Sequence, residues 1–109
     1  DNLIVFIDKN GLQGFGATSE ILGDTASPKV WATIGFDVLE VDGHDVDAML
    51  EAKKQHMANK NGRPKLIIAN TVKGKGVPHM ESRMEWHYLP MNEEMYKEAV
   101  TRIKVDYKM

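Results

Sequence analysis

Leu3-Ile4-Val5-Phe6-Ile7 is a run apolar at every position, and Asp8-Lys9-Asn10-Gly11-Leu12-Gln13 follows it without a break. A short β-branched and aromatic run with polar residues at both ends reads as a strand buried on both faces, as in a parallel sheet. Ligands of such sheets sit beyond the carboxyl ends of the strands. The polar segment from Asp8 to Gln13 therefore starts where a binding site is expected. The stretch from 8 to 24 carries Gly11, Gly14, Gly16 and Gly23 and reads as a long glycine-rich loop.

Downstream, Ser27-Pro28 starts a short helix, with Ser27 as N-cap, Val30, Trp31 and Ile34 as its apolar face and Gly35 as its stop. Phe36 to Val41 predicts a second strand. Asp45 caps a helix to about His56, with Val46, Met49, Leu50 and Lys53 at helical spacing. His56 reads as a surface residue stabilised by the helix dipole. Asn61-Gly62-Arg63-Pro64 closes this unit, and Leu66 to Ala69 predicts a third strand. Thr71 to Pro90 reads as a second long loop. Asn92 caps a last helix whose inner stripe is Met95, Ala99, Arg102 and Ile103. The alternation of strands and helices implies right-handed crossovers and an α/β fold: a parallel sheet with flanking helices.

Composition narrows the function classes. The chain has 109 residues, a formal net charge of −2 and no cysteine. It is one domain at most. It has no basic excess for nucleic acid, no disulfide framework and no thiolate site or nucleophile. Leu3 to Ile7 is too short to cross a bilayer, and no secretory pattern opens the chain, so neither nucleic acid nor membrane is expected as a partner and a cytoplasmic location is.

Four constellations could carry chemistry. The Asn10 carboxamide oxygen and the Leu12 carbonyl could converge on a hard cation such as Mg²⁺ or Ca²⁺, the alternative being an Asx turn at Asn10-Gly11. In Asp42-Gly43-His44-Asp45 two carboxylates flank a histidine, but turn and capping roles account for them. Lys73-Gly74-Lys75-Gly76 could cradle phosphate, although P-loop spacing is absent. His79 and His87, the latter in Glu85-Trp86-His87, lie in the second long loop and could donate to phosphate or carry protons, or simply be solvated.

Taken in order, these segments resemble the thiamine-diphosphate-binding domain of transketolases, above all the N-terminal subunit of the split, two-gene kind. The carrying stretches are Asp1 to Val5 running into Asp8 to Gln13; Trp31 with Gly35-Phe36; Val41 to Asp45; Ile68-Ala69-Asn70-Thr71-Val72-Lys73-Gly74-Lys75-Gly76-Val77; Met80-Glu81; Glu85-Trp86-His87; and Pro90 with Asn92-Glu93-Glu94. The resemblance covers essentially all of residues 1–109 and implies the C-terminal half of a diphosphate-binding domain.

The resemblance implies thiamine diphosphate as cofactor, anchored through Mg²⁺ or Ca²⁺. Asn10 and the Leu12 carbonyl match two of the family's metal ligands. Gln13, Lys75 and His87 are implied cofactor contacts, and His87 matches a histidine that orients and protonates intermediates. The implied activity is transfer of a two-carbon ketol unit between sugar phosphates, the cofactor supplying the hard chemistry. A second subunit or domain that grips the pyrimidine ring is an implied partner, in a homo- or hetero-oligomer, and the chain is expected to be inactive alone. Three departures stand out. The family's Gly-Asp-Gly segment, with its Asp ligand, is absent; Gly14-Phe15-Gly16 replaces more usual polar or aliphatic residues; and Tyr88 stands where a glycine often follows the Trp-His pair. The competing readings are a non-catalytic α/β interaction module, a sister enzyme of the deoxyxylulose-phosphate-synthase kind, and an unrelated nucleotide- or phosphate-binding α/β module supported only by Lys73 to Gly76.

Overall fold

The structure, a computed structural model, describes residues 2–108; Asp1, part of the first resembling stretch, and Met109 lie outside them. Among the described residues two compact units form, residues 2–10 with 22–71, and residues 11–21 with 72–108.

In the first unit, β1 (Ile4–Lys9), β4 (Asp37–Asp42) and β5 (Lys65–Asn70) make a three-stranded parallel sheet in the order β1-β5-β4. The registers put Lys9, Asn70 and Asp42 level at the carboxyl end of the sheet. Asn10, Thr71 and Gly43 thus leave the sheet side by side. Hydrogen bonds tie these exits: Gly43 N–H donates to the Asn70 carbonyl at 2.8 Å and Thr71 N–H to the Lys9 carbonyl at 3.2 Å. The Thr71 hydroxyl also donates to the Asp8 carboxylate.

The core lies on β5, where Leu66, Ile67 and Ile68 are fully buried. Burying each such side chain contributes about 1.5–3 kcal/mol. This corrects one expectation. The strand buried on both faces is β5; β1 is at the edge of the described sheet and leaves Phe6 52% exposed. A run apolar at every position marks a sheet interior but does not rank the strands within it.

Helix α2 (Pro28–Ile34) packs on β4, and α3 (Val46–Ala58) on β4 and β5. Pro28 opens α2 and Gly35, at φ 108°, closes it, donating to the Ala32 and Trp31 carbonyls; Ser27 is extended but makes no side-chain cap. The Asp45 carboxylate caps α3 by accepting from Ala48 N–H at 3.0 Å. The inner face of α3 is rotated from the predicted one. Ala52 and His56 are buried, whereas Val46 and Leu50 are exposed. His56 is no surface residue: its Nε2 sits 3.0 Å from the Leu66 carbonyl, so the tautomer protonated there donates to it. A buried imidazole with a main-chain partner can take an inner helical position that hydropathy alone would leave at the surface.

Lys65 is also buried, and its ammonium donates to Asp37 at 3.0 Å and to the Asn61 carboxamide oxygen. The hydrogen bond from Lys65 is the main cause holding the Asp37 carboxyl below its ordinary range, with help from Asn61. A depressed carboxylate contributes stability that is fully present above its unfolded value, about 3.9, and is lost as pH falls through the folded value. Asp37→Asn is expected to lower stability by about 1–2 kcal/mol at pH 7, because a buried ammonium loses its counter-charge. It should also flatten the loss of stability below about pH 4; urea unfolding at pH 7 and pH 3 measures both effects.

The second unit contains what the sequence presents as two loops. Residues 11–21 form a hairpin of β2 (Leu12–Gln13) and β3 (Gly16–Ala17) followed by the one-turn helix α1 (Thr18–Ile21). Two-residue strands carry too little alternation to be visible in sequence. Residues 84–87 form a 3-10 turn, and α4 (Glu93–Asp106) closes the unit, capped by the Asn92 carboxamide accepting from Met95 N–H at 2.9 Å. Ala99 is the buried residue of α4, while Arg102 faces out and pairs with Asp106 at 2.9 Å.

Candidate functional site

The second unit brings together two of the expected site segments: β2, with Leu12 and Gln13, packs against the 3-10 turn that ends in His87. The hairpin sets the direction of the Leu12 carbonyl. Thr18 N–H donates to the Gly11 carbonyl at 2.8 Å, one rung beyond the Leu12–Ala17 pair. Successive carbonyls along an antiparallel ladder alternate in direction, so the Leu12 carbonyl, one residue on from the bonded Gly11 carbonyl, faces away from β3. Gly11 makes the corner, at φ 75°.

Gln13 places its carboxamide nitrogen in a buried position with no hydrogen-bond partner. An unmatched buried donor is costly, and an anionic oxygen is an acceptor that would satisfy it. His87 ends the 3-10 turn, with its ring 6.1 Å from that of Tyr88. Trp86 supports the turn from behind: its indole N–H donates to the His79 carbonyl at 2.9 Å and its ring meets the His79 imidazole edge-on at 5.3 Å. His79 is therefore packed, both ring nitrogens being buried without partners, and not a solvated loop histidine.

Lys75 is exposed, in a turn built by its two glycines. Gly74, at φ 76°, lies where a Cβ would come within 2.7 Å of the Met80 main chain. Gly76 N–H donates to the Glu81 carboxylate at 3.1 Å. That amide is already bound to a negative group, which weakens the reading of residues 73–76 as a phosphate cradle.

In the first unit, Asn10 follows the carboxyl end of β1. Asp42-Gly43-His44-Asp45 is structural there: the Asp42 carboxylate accepts from His44 N–H at 2.8 Å and Asp45 caps α3. Gly43 sits where a Cβ would come within 2.9 Å of the Ala69 side chain and 3.1 Å of the Asn70 carbonyl. No group of three or more His, Cys, Asp or Glu side chains among the described residues could hold a metal. A metal here would need carboxamide and main-chain oxygens, the donors Asn10 and Leu12 carry and the kind Mg²⁺ and Ca²⁺ prefer. In chemical type the residues present fit a metal diphosphate: hard oxygen donors, a buried amide donor and an imidazole.

The family described as transketolase, thiamine diphosphate binding domain, matches residues 1–108. The chain belongs to that family. Among its relatives, one of the subunits of an apulose-4-phosphate transketolase from Phocaeicola vulgatus is 36% identical over 103 residues, covering 94% of this chain and 36% of that protein. A 6-deoxy-6-sulfo-D-fructose transketolase subunit from a Clostridium species is 36% identical over 104 residues, covering 95% of this chain and 38% of that protein. The crystal structure of transketolase from Campylobacter jejuni superposes with a TM-score of 0.78 at 31% identity, over 94% of this chain and 16% of that one. The chain thus spans little more than a third of the length of the two bacterial subunits. The transketolase-family fold agrees with the parallel sheet and flanking helices expected from the sequence. No helix among the described residues is long and apolar enough to cross a membrane.

Proposed function

We propose that residues 1–109 are part of the diphosphate-binding domain of a split transketolase, which moves a two-carbon ketol unit between sugar phosphates. The packing of β2 against the turn bearing His87 carries this reading, because it joins two segments the resemblance assigns to one site. Asn10 and the Leu12 carbonyl would hold Mg²⁺ or Ca²⁺, and Gln13, Lys75 and His87 would meet the diphosphate. Bound thiamine diphosphate supplies a carbanion centre able to make and break a bond next to a carbonyl. This chain's share is to bind the diphosphate, orient it and place the His87 proton near the reacting oxygen. Further oxygen ligands would complete the metal shell, because Asn10 and Leu12 leave most positions of a hard cation unfilled.

That two relatives are themselves named as transketolase subunits supports a complementary chain, on which the resemblance implies the pyrimidine-binding site. Together with sugar-phosphate substrates, it makes up the partners of this reading, in a cytoplasmic assembly. The test is ketol transfer with thiamine diphosphate and Mg²⁺, by the chain alone and with its complementary chain. Turnover only in the mixture is the expected result; turnover by the chain alone contradicts the division of the site, and no turnover in either contradicts the activity.

A further inference from the structure

The two departures from the family pattern within the second unit meet. The Tyr88 hydroxyl donates to the Gly14 carbonyl at 2.8 Å, across 74 positions of sequence. A Cβ on Gly14 would overlap the Tyr88 hydroxyl oxygen and stand 3.4 Å from the ring carbon that bears it. Gly14 has no positive φ that would otherwise require glycine. Its missing side chain is explained by the space Tyr88 occupies. One end of this clasp is the turn directly after Gln13, and the other is the residue directly after His87. Tyr88 is largely exposed, so its phenol is held there by this bond more than by burial.

We infer that Tyr88 is a positioning residue that, through its bond to Gly14, holds the Leu12–Gln13 hairpin at a fixed distance from His87 for contact with the diphosphate. The inference rests on the functional reading above and adds to it a residue the resemblance does not supply. Tyr88 itself touches neither metal nor cofactor; it acts through the two segments it joins.

The test is a double-mutant cycle of Gly14→Ala and Tyr88→Phe in the full chain, followed first without cofactor. A neutral hydrogen bond is worth about 2- to 10-fold in a local equilibrium, so Tyr88→Phe should speed amide exchange at Gly14 to Gly16 by about that factor. Gly14→Ala alone should speed it more and should also shift the imidazole NMR signals of His87, because the new methyl displaces the Tyr88 hydroxyl. In the Tyr88→Phe background only the 3.4 Å contact remains, and Gly14→Ala should then leave those signals nearly unchanged. Equal shifts in both backgrounds, or none in either, overturn the clasp. The second measurement is affinity for thiamine diphosphate with Mg²⁺ in the presence of the complementary chain, which Tyr88→Phe should weaken by about 2- to 10-fold. An intact NMR coupling with unchanged affinity overturns the positioning role. No binding even by the unsubstituted protein contradicts the functional reading itself, while the NMR cycle still decides whether the clasp exists.

Discussion

His87→Ala is expected to lower kcat for ketol transfer by about 10²- to 10⁴-fold in the assembled enzyme, the usual contribution of a positioned proton donor or acceptor. That range corresponds to about 2.7–5.4 kcal/mol of transition-state stabilisation. The fold should tolerate the change, since His87 stands at the end of a 3-10 turn and is exposed. Thermal unfolding of the variant should therefore stay close to that of the parent. If His87 serves proton transfer, kcat and kcat/KM should fall together; if it only holds the diphosphate, the apparent affinity for cofactor should fall and kcat recover at saturation. An unchanged rate at saturating cofactor would remove His87 from the chemistry.

The second large effect is structural. Ile67→Ala is expected to cost about 3–4 kcal/mol, because Ile67 is fully buried at the centre of β5 and its truncation removes apolar contact and leaves a cavity. Ile67 pairs in register with Phe6 on one side and Leu39 on the other. A deficit there is felt by both neighbouring strands, so loss should be cooperative and not confined to one edge. Small domains have total stabilities of only about 5–15 kcal/mol, so the variant should melt at a markedly lower Tm. Ile67→Val should cost about 0.5–1.5 kcal/mol. Urea unfolding of the pair measures the ratio, and equal costs for the two would contradict the burial of Ile67.

The fold was legible wherever an element was long enough to show its period or its cap. Asp45 and Asn92 announced their helices, Pro28 and Gly35 bounded another, and three apolar runs marked the three parallel strands. What escaped the sequence was set by distant contacts. The burial of His56 depends on a carbonyl of β5, and that of Lys65 on Asp37 and Asn61, none of which hydropathy encodes. The β2–β3 hairpin is too short for alternation, so residues 8–24 looked like an open glycine loop. Of the candidate site, the segments were readable and their order pointed to the family. The bond from Tyr88 to Gly14 was not readable, because the two residues look like unrelated departures until they are placed together.

In the proposed function, Asn10 and the Leu12 carbonyl would hold a divalent cation together with the diphosphate. A main-chain carbonyl cannot be removed by substitution, so Asn10 is the member to change. Calorimetric titration with thiamine diphosphate, with and without Mg²⁺ and in the presence of the complementary chain, measures this directly. Binding that requires Mg²⁺ and is weakened at least about 10-fold by Asn10→Ala is the expected result; binding indifferent to both Mg²⁺ and the substitution would contradict it.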